Sequence, residues 1–291
     1  MHATESRPGV ALDGHIHLIL VRHAESNNNV LAEAIRQKHG PAVTEALLVH
    51  EEAQARDPDC ALSERGERQL ECLQVYDWHD YFLTTGQFPK CQVFASPMLR
   101  CLLTAQAVAR SLKPSMDGPV VVGPRLFEEG GCYRHRADGT PVGVAGATWD
   151  DIAQRFPDFT TPDGRGVGWY NRPHIETAAE FEGRAQEVAT WIWGMQQHML
   201  ASGHGALVLV MHGNIMSAIL STLFSGAPHA ALYKHCNTGH THIELFCDRG
   251  RNLAVCQSVN KVTHLLGHKH LIGGDHAVDD RWIQQFSARF R

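Results

Sequence analysis

A three-layer α/β/α sandwich on a mainly parallel β-sheet is the fold class that this sequence predicts. Two observations carry the prediction. Short runs rich in Val, Ile, Leu or Phe recur along the chain, and longer segments between them repeat their apolar residues with helical spacing. Strands alternating with helices give a sheet covered on both faces, whose strands read as continuous apolar runs. The runs fall at 15–21, 92–95, 119–122, 206–211, 241–247 and 253–258, each bounded by turn formers or charges.

The helices follow in order. Residues 63–82 offer Ser63 as an N-cap, with Leu70, Leu73, Val75 and Tyr76 as the apolar positions. Residues 97–112 begin with Pro97, acceptable in a first turn, and repeat Leu99, Leu102, Leu103 and Ala107. At 177–200, Thr177 followed three residues later by Glu180 forms a capping-box pattern. The stretch 129–176 breaks the rhythm: it is rich in Gly, Pro, Asp, Arg and aromatics, and reads as an irregular lid insertion over the site. One short helix is expected there, around "TWDDIAQRF". Trp149, Phe156, Phe159, Trp169 and Tyr170 argue against a disordered loop. Residues 1–14 read as a tail, and 15–291 as a single domain that carries the insertion.

Composition narrows the function. With 43% hydrophobic and 20% charged residues, net charge -5 and no Lys/Arg block, neither a nucleic acid nor a membrane surface is an expected partner. The eight cysteines form no CxxC pair and read as reduced thiols in a reducing compartment. The amino terminus lacks the apolar segment of a signal peptide, so a cytoplasmic protein is expected. The window 206–224 has the length of a membrane span, but His212, Gly213 and Asn214 divide it into a buried strand and a core helix.

In such a sheet ligands bind beyond the carboxyl ends of the strands, so residues directly after a strand come first. The first run leads into Arg22 and His23, the second into "SPMLR" with Arg100, and 206–211 into His212 and a helix start. Two arginines and two histidines converging on one crevice make a phosphate site. Guanidinium groups match phosphate oxygens bidentately, and the amides at Gly213 and Asn214 favour an anion. A neutral imidazole accepts a phosphoryl group and surrenders it to water, and neighbouring arginines keep it neutral. Position and positive charge supply the main stabilisation, and the reading needs no metal or other cofactor. The leaving alkoxide needs a proton, which Glu128 or Glu129 of "GPRLFEEGG" is placed to give; nearby phosphate oxygens raise the pKa of such a carboxyl.

Taken jointly, "LVRHAES", "LSERGERQ", "ASPMLRCLLTAQ", "RLFEEGG", "VMHG" and "VNKVTHLLG" resemble the histidine phosphatase superfamily, also called phosphoglycerate mutase-like, from about residue 15 to 265. The resemblance implies that fold. It makes His23 the phosphorylated nucleophile, Arg22, Arg100 and His212 the rest of the phosphate pocket, and Glu128 the proton donor with Glu129 as competitor. Asn29 falls at a substrate-phosphate contact, and Ser26 adds its hydroxyl. Cofactor-dependent mutases of the family tend to carry Trp where this chain has Asn28, and Arg-x-Tyr-Gly where it has "EGGCYRHR". The implied activity is therefore a metal-independent phosphoric monoester hydrolase of the histidine acid type, acting on a small phosphorylated substrate. A mutase or bisphosphatase is the runner-up. A non-catalytic subunit of a larger assembly is the third reading, opposed by the complete site set; a homodimer is allowed.

Two further groups stand apart. "HTH" at 240–242 and "HKH" at 268–270 each put two imidazoles on one side of an extended chain, but neither has an acid or cysteine in an ordinary ligand pattern, so no metal site is expected there. Arg134 and Arg136, with His135, Arg155, Arg165 and Arg172, are expected to read a second anionic group of the substrate or to be solvated loop charges.

Overall fold

The computed structural model describes residues 14–40, 43–78, 88–136, 138–248 and 250–274. Its central sheet contains β1 (His15–Arg22), β2 (Cys91–Ala95), β3 (Val120–Val122), β6 (Phe159–Thr160), β7 (Ala206–Met211), β8 (His240–Asp248) and β9 (Arg251–Lys261). The order across it is β6-β3-β2-β7-β1-β8-β9, parallel from β6 to β1 and antiparallel at β8 and β9.

Central strands have two buried faces, which is why they read as unbroken apolar runs. On β1, Ile19 and Val21 join Val93, Ala95, Val208 and Val210 beneath α4 (Leu99–Leu112). Leu18 and Leu20 join Leu207, Leu209 and Met211 beneath α6 (Ala178–Ala201) and α7 (Gly213–Ser225). Each such side chain contributes about 1.5–3 kcal/mol when fully buried. No helix among the described residues is long and apolar enough to cross a membrane; residues 206–224 divide into β7 and α7 as expected.

Several boundaries differ from expectation. α1 (Asn27–His39) and α2 (Glu45–Ala55) fill a stretch for which periodicity predicts no helix. The first turn of α1 is Asn27–Asn28–Asn29, so the amide-rich segment is a helix start. Asn28 Nδ2 donates to the Asp57 carbonyl at 2.7 Å and the Asp57 amide to Asn28 Oδ1 at 3.2 Å, clipping α1 to the chain beyond α2.

α3 (Glu64–Leu73) starts on the expected Ser63 cap but stops at Leu73. Val75 is 77% exposed, while Tyr76 and Trp78 turn inward to pack edge to face at 5.1 Å. Residues 79–82 of that expected helix, and 1–13 of the tail, lie outside the described residues. α4 begins at Leu99, two residues beyond Pro97, because its cap is remote: Asp59 Oδ1 accepts the Leu99 amide at 2.8 Å.

Most of the insertion is irregular, as expected, around a few short elements that include the expected helix. These are a hairpin, β4 (Tyr133–His135) with β5 (Pro141–Gly143), then α5 (Trp149–Arg155) on a Thr148/Asp151 capping box, then β6, which extends the main sheet. Trp149, Phe156, Trp169 and Tyr170 are buried in the α4-side core. Gly131, at φ 72°, permits this packing, since a Cβ there would lie 1.9 Å from the Tyr170 ring.

Candidate active site

Three parallel strands end side by side, and each delivers chemistry to the same crevice. β1 delivers Arg22 and His23. Strand pairing extends His23 by one further bond, its amide donating to the Met211 carbonyl at 2.9 Å. The Ala24 amide donates to Thr104 Oγ1 of α4 at 3.0 Å, and Asn237 Nδ2 to the His23 carbonyl at 3.0 Å. The backbone around His23 is thus held from three sides.

Its ring is held as firmly. Nδ1 lies 2.6 Å from the Ala24 carbonyl, which only accepts, so Nδ1 carries the proton and Nε2 keeps its lone pair. Arg100 Nε points at that Nε2 from 3.3 Å. Burial, then Arg100 and Arg22, hold the imidazole well below its ordinary pKa. It is neutral at pH 7.

β7 ends in His212, fully buried, its ring centroid 5.0 Å from that of His23. Nε2 of His212 contacts Ser96 Oγ at 2.8 Å and Cys101 Sγ at 3.3 Å. Burial, Arg100 and His23 depress its pKa strongly. Beyond β2, Arg100 is 5% exposed; its Nη1 is buried without a hydrogen-bond partner among the described residues, an arrangement that an anionic oxygen would satisfy. Arg22 donates through Nη1 to the carbonyls of His235 and Gly274.

Glu128 closes the crevice. Its carboxylate accepts from the amides of Asn214 and Ile215, both at 3.2 Å, and of Glu129 at 2.9 Å. Of the two amides expected to favour an anion, that of Asn214 serves the Glu128 carboxylate, so the helix start holds this acid beside His212. Gly213 is buried as the first residue of α7. Glu129 accepts from Asn214 Nδ2 at 3.0 Å.

A family model described as the histidine phosphatase superfamily (branch 1) matches residues 18–257. The chain belongs to the histidine phosphatase superfamily. No curated protein sequence matches it. Among solved structures, a phosphoserine phosphatase from Entamoeba histolytica in complex with 3-phosphoglyceric acid is 20% identical, with 86% of this chain and 100% of that one covered and a TM-score of 0.46. The ecdysone phosphate phosphatase of Bombix mori, in complex with tungstate, is 16% identical over 85% and 96%, with a TM-score of 0.48. A phosphoglycerate mutase from Bacillus anthracis is 15% identical over 88% and 97%, with a TM-score of 0.47.

Within this superfamily member, the expected substrate contacts divide. Ser26 and Asn29 form the capping box of α1: the Ser26 amide and hydroxyl donate to Asn29 Oδ1 at 3.1 and 3.0 Å. Their oxygens thereby shape the helix start, and the Asn29 amide group is what remains for a phosphate. Arg134 and Arg136 are exposed on the hairpin, with no hydrogen bond or ion pair to the crevice among the described residues.

Sequence reasoning misses the residues that aim the site. Buried Glu25 pairs with Arg65 and accepts Ser63 Oγ at 2.7 Å, tying the strand end to α3. Gly66 makes this approach possible, since a Cβ there would fall 2.0 Å from the Glu25 carbonyl. The "SERG" sequence is the only local signal. Arg184, paired with Glu176 at 2.6 Å, donates Nη1 to the Arg125 and Phe127 carbonyls at 2.9 and 2.8 Å, fixing the segment before Glu128.

Proposed function

We propose that this chain is a phosphatase that hydrolyses a small phosphomonoester through a phosphohistidine on His23. The observation that carries the reading is the His23 ring, with Nδ1 committed to the Ala24 carbonyl and Nε2 opposite Arg100 at 3.3 Å. Nε2 attacks phosphorus as the ester P–O bond breaks, the proton that a monoanionic phosphomonoester carries passes through Glu128 to the departing alkoxide, and a phosphohistidine remains. A water then attacks phosphorus, Glu128 takes its proton, the P–N bond breaks and inorganic phosphate leaves. Arg22 and Arg100 neutralise the transferring group, and neutral His212 donates to one of its oxygens. No step passes through a metal.

A reducing, cytoplasmic setting fits the eight free cysteines, of which Cys60, Cys91, Cys101, Cys132 and Cys236 are buried. The test is a panel of phosphomonoesters that includes 3-phosphoglycerate, assayed for both hydrolysis and isomerisation. Hydrolysis is expected, with a base-stable, acid-labile phosphoprotein, and both are expected to disappear in His23→Ala, a loss of about 10⁴-fold or more. Isomerisation faster than hydrolysis would replace this reading with a mutase; neither turnover nor labelling on the whole panel would replace it with a non-catalytic subunit.

A further inference from the structure

At the end of β1 remote from the crevice, strands β1 and β8 bring together three histidines and a glutamate. Their antiparallel register sets His17 opposite Glu244 and Ile19 opposite His242, so alternation puts His15, His17, His242 and Glu244 on one face. One donor atom from each of His15, His17 and Glu244 lies within 4.8 Å of the others. His242 lies outside this trio, its Nε2 3.0 Å from His17 Nδ1 as a hydrogen-bond partner. We propose that His15, His17 and Glu244 form a binding site for one zinc-class divalent cation, with water completing its coordination.

The donor set suits the ion: imidazole nitrogens and one carboxylate favour Zn²⁺ and its late first-row neighbours over Ca²⁺ or Mg²⁺. His17 Nδ1 lies 3.9 Å from Glu244 Oε1 across the strand pair, so the imidazole and the carboxylate face each other on the same surface. The partners differ from those that the sequence suggests. "HTH" and "HKH" do not meet: His240 packs with Tyr76, Trp78 and His264, whereas His268 and His270 stack edge to face with each other, and the second imidazole of the pair is His17.

Six residues of extended strand, roughly 20 Å, separate His17 from His23, so the site is structural and takes no part in phosphoryl transfer. It would clasp β8 to β1, and the segment leading into β8 carries His235 and Asn237, which hold Arg22 and His23.

The test uses the full chain, stripped with a chelator and dialysed against micromolar Zn²⁺ in phosphate-free buffer, with metal counted by mass spectrometry. One equivalent is expected in the wild type and in His23→Ala, together with a rise in Tm on adding Zn²⁺. Affinity is expected to fall at least tenfold in His17→Asn and in Glu244→Gln. His15→Gln changes an exposed side chain and is expected to lose affinity while its metal-free Tm matches that of the wild type, which separates loss of a ligand from loss of fold. The proposal is overturned if the wild type retains no zinc, or if the His15→Gln/Glu244→Gln double variant retains as much as the wild type.

Discussion

At the crevice His23, Arg100 and His212 are fixed in the core, whereas Arg134 and Arg136 of the insertion stand in solvent although the same segment buries Trp149, Trp169 and Tyr170. His23, Arg100 and His212 are 3%, 5% and 0% exposed; Arg134 and Arg136 ride a hairpin that touches the core through its neighbours. On the proposed reading, groups pinned in this way serve what every phosphomonoester shares, the phosphoryl group itself. Discrimination between substrates then falls to parts that a change of sequence can alter without disturbing the core.

The comparison breaks or sharpens under mutation. Arg100→Ala removes the guanidinium that faces the nucleophile, and kcat is expected to fall by 10²–10³-fold or about 2.7–4 kcal/mol, with little change in Tm, as steady-state kinetics will measure. Glu176→Ala tests the seam between the two regions. It leaves Arg184 buried and unpaired, so denaturant unfolding is expected to report a loss of about 3 kcal/mol, and kcat is expected to fall because the Glu128 segment loses its anchor. An unchanged midpoint would mean that the insertion is fastened elsewhere.

Acid provides a further test. His23, His212, His235 and His264 all have folded-state pKa values depressed below the ordinary 6.5, His235 to about 3 and His264 to about 4, by burial first. Below pH 6.5 the unfolded chain takes up protons that the folded one refuses, so the stability present above that pH is lost as pH falls, by up to about 1.4 kcal/mol per pH unit for each ring. Thermal unfolding from pH 7 to pH 5 is expected to show a steadily falling Tm; a flat profile would mean that these rings are accessible to protons in the folded state. The smallest effect is expected at the hairpin: Arg134→Glu with Arg136→Glu should raise KM on the preferred substrate by less than about tenfold and leave kcat unchanged. A change in kcat would place the hairpin inside the chemistry and erase the contrast.

Most of the sheet is legible because β1, β2 and β7 are buried on both faces and leave apolar runs, and α6 is legible because Thr177 and Glu180 announce it. α1 is hidden because three asparagines make a poor helix start by propensity, and what holds them is the Ser26–Asn29 box and the Asn28–Asp57 clip. That Arg22, His23, Arg100, His212 and Glu128 share one crevice can be read because each lies at or beyond the carboxyl end of a strand. Asn237, which holds the His23 carbonyl from more than two hundred residues away, cannot, since its role is created only when β8 pairs with β1. The surroundings of the two histidine pairs are hidden for the same reason: spacing shows which residues share a face, and register alone decides which faces meet.

Cys101 sits 3.3 Å from His212 with its thiol sealed in the α4-side core, and burial pushes its pKa upward. A thiol in that position reacts with an alkylating reagent only when the layer between α4 and the sheet breathes. The rate of its modification is therefore a built-in stopwatch for opening of the catalytic pocket, readable by mass on the native chain without any attached probe.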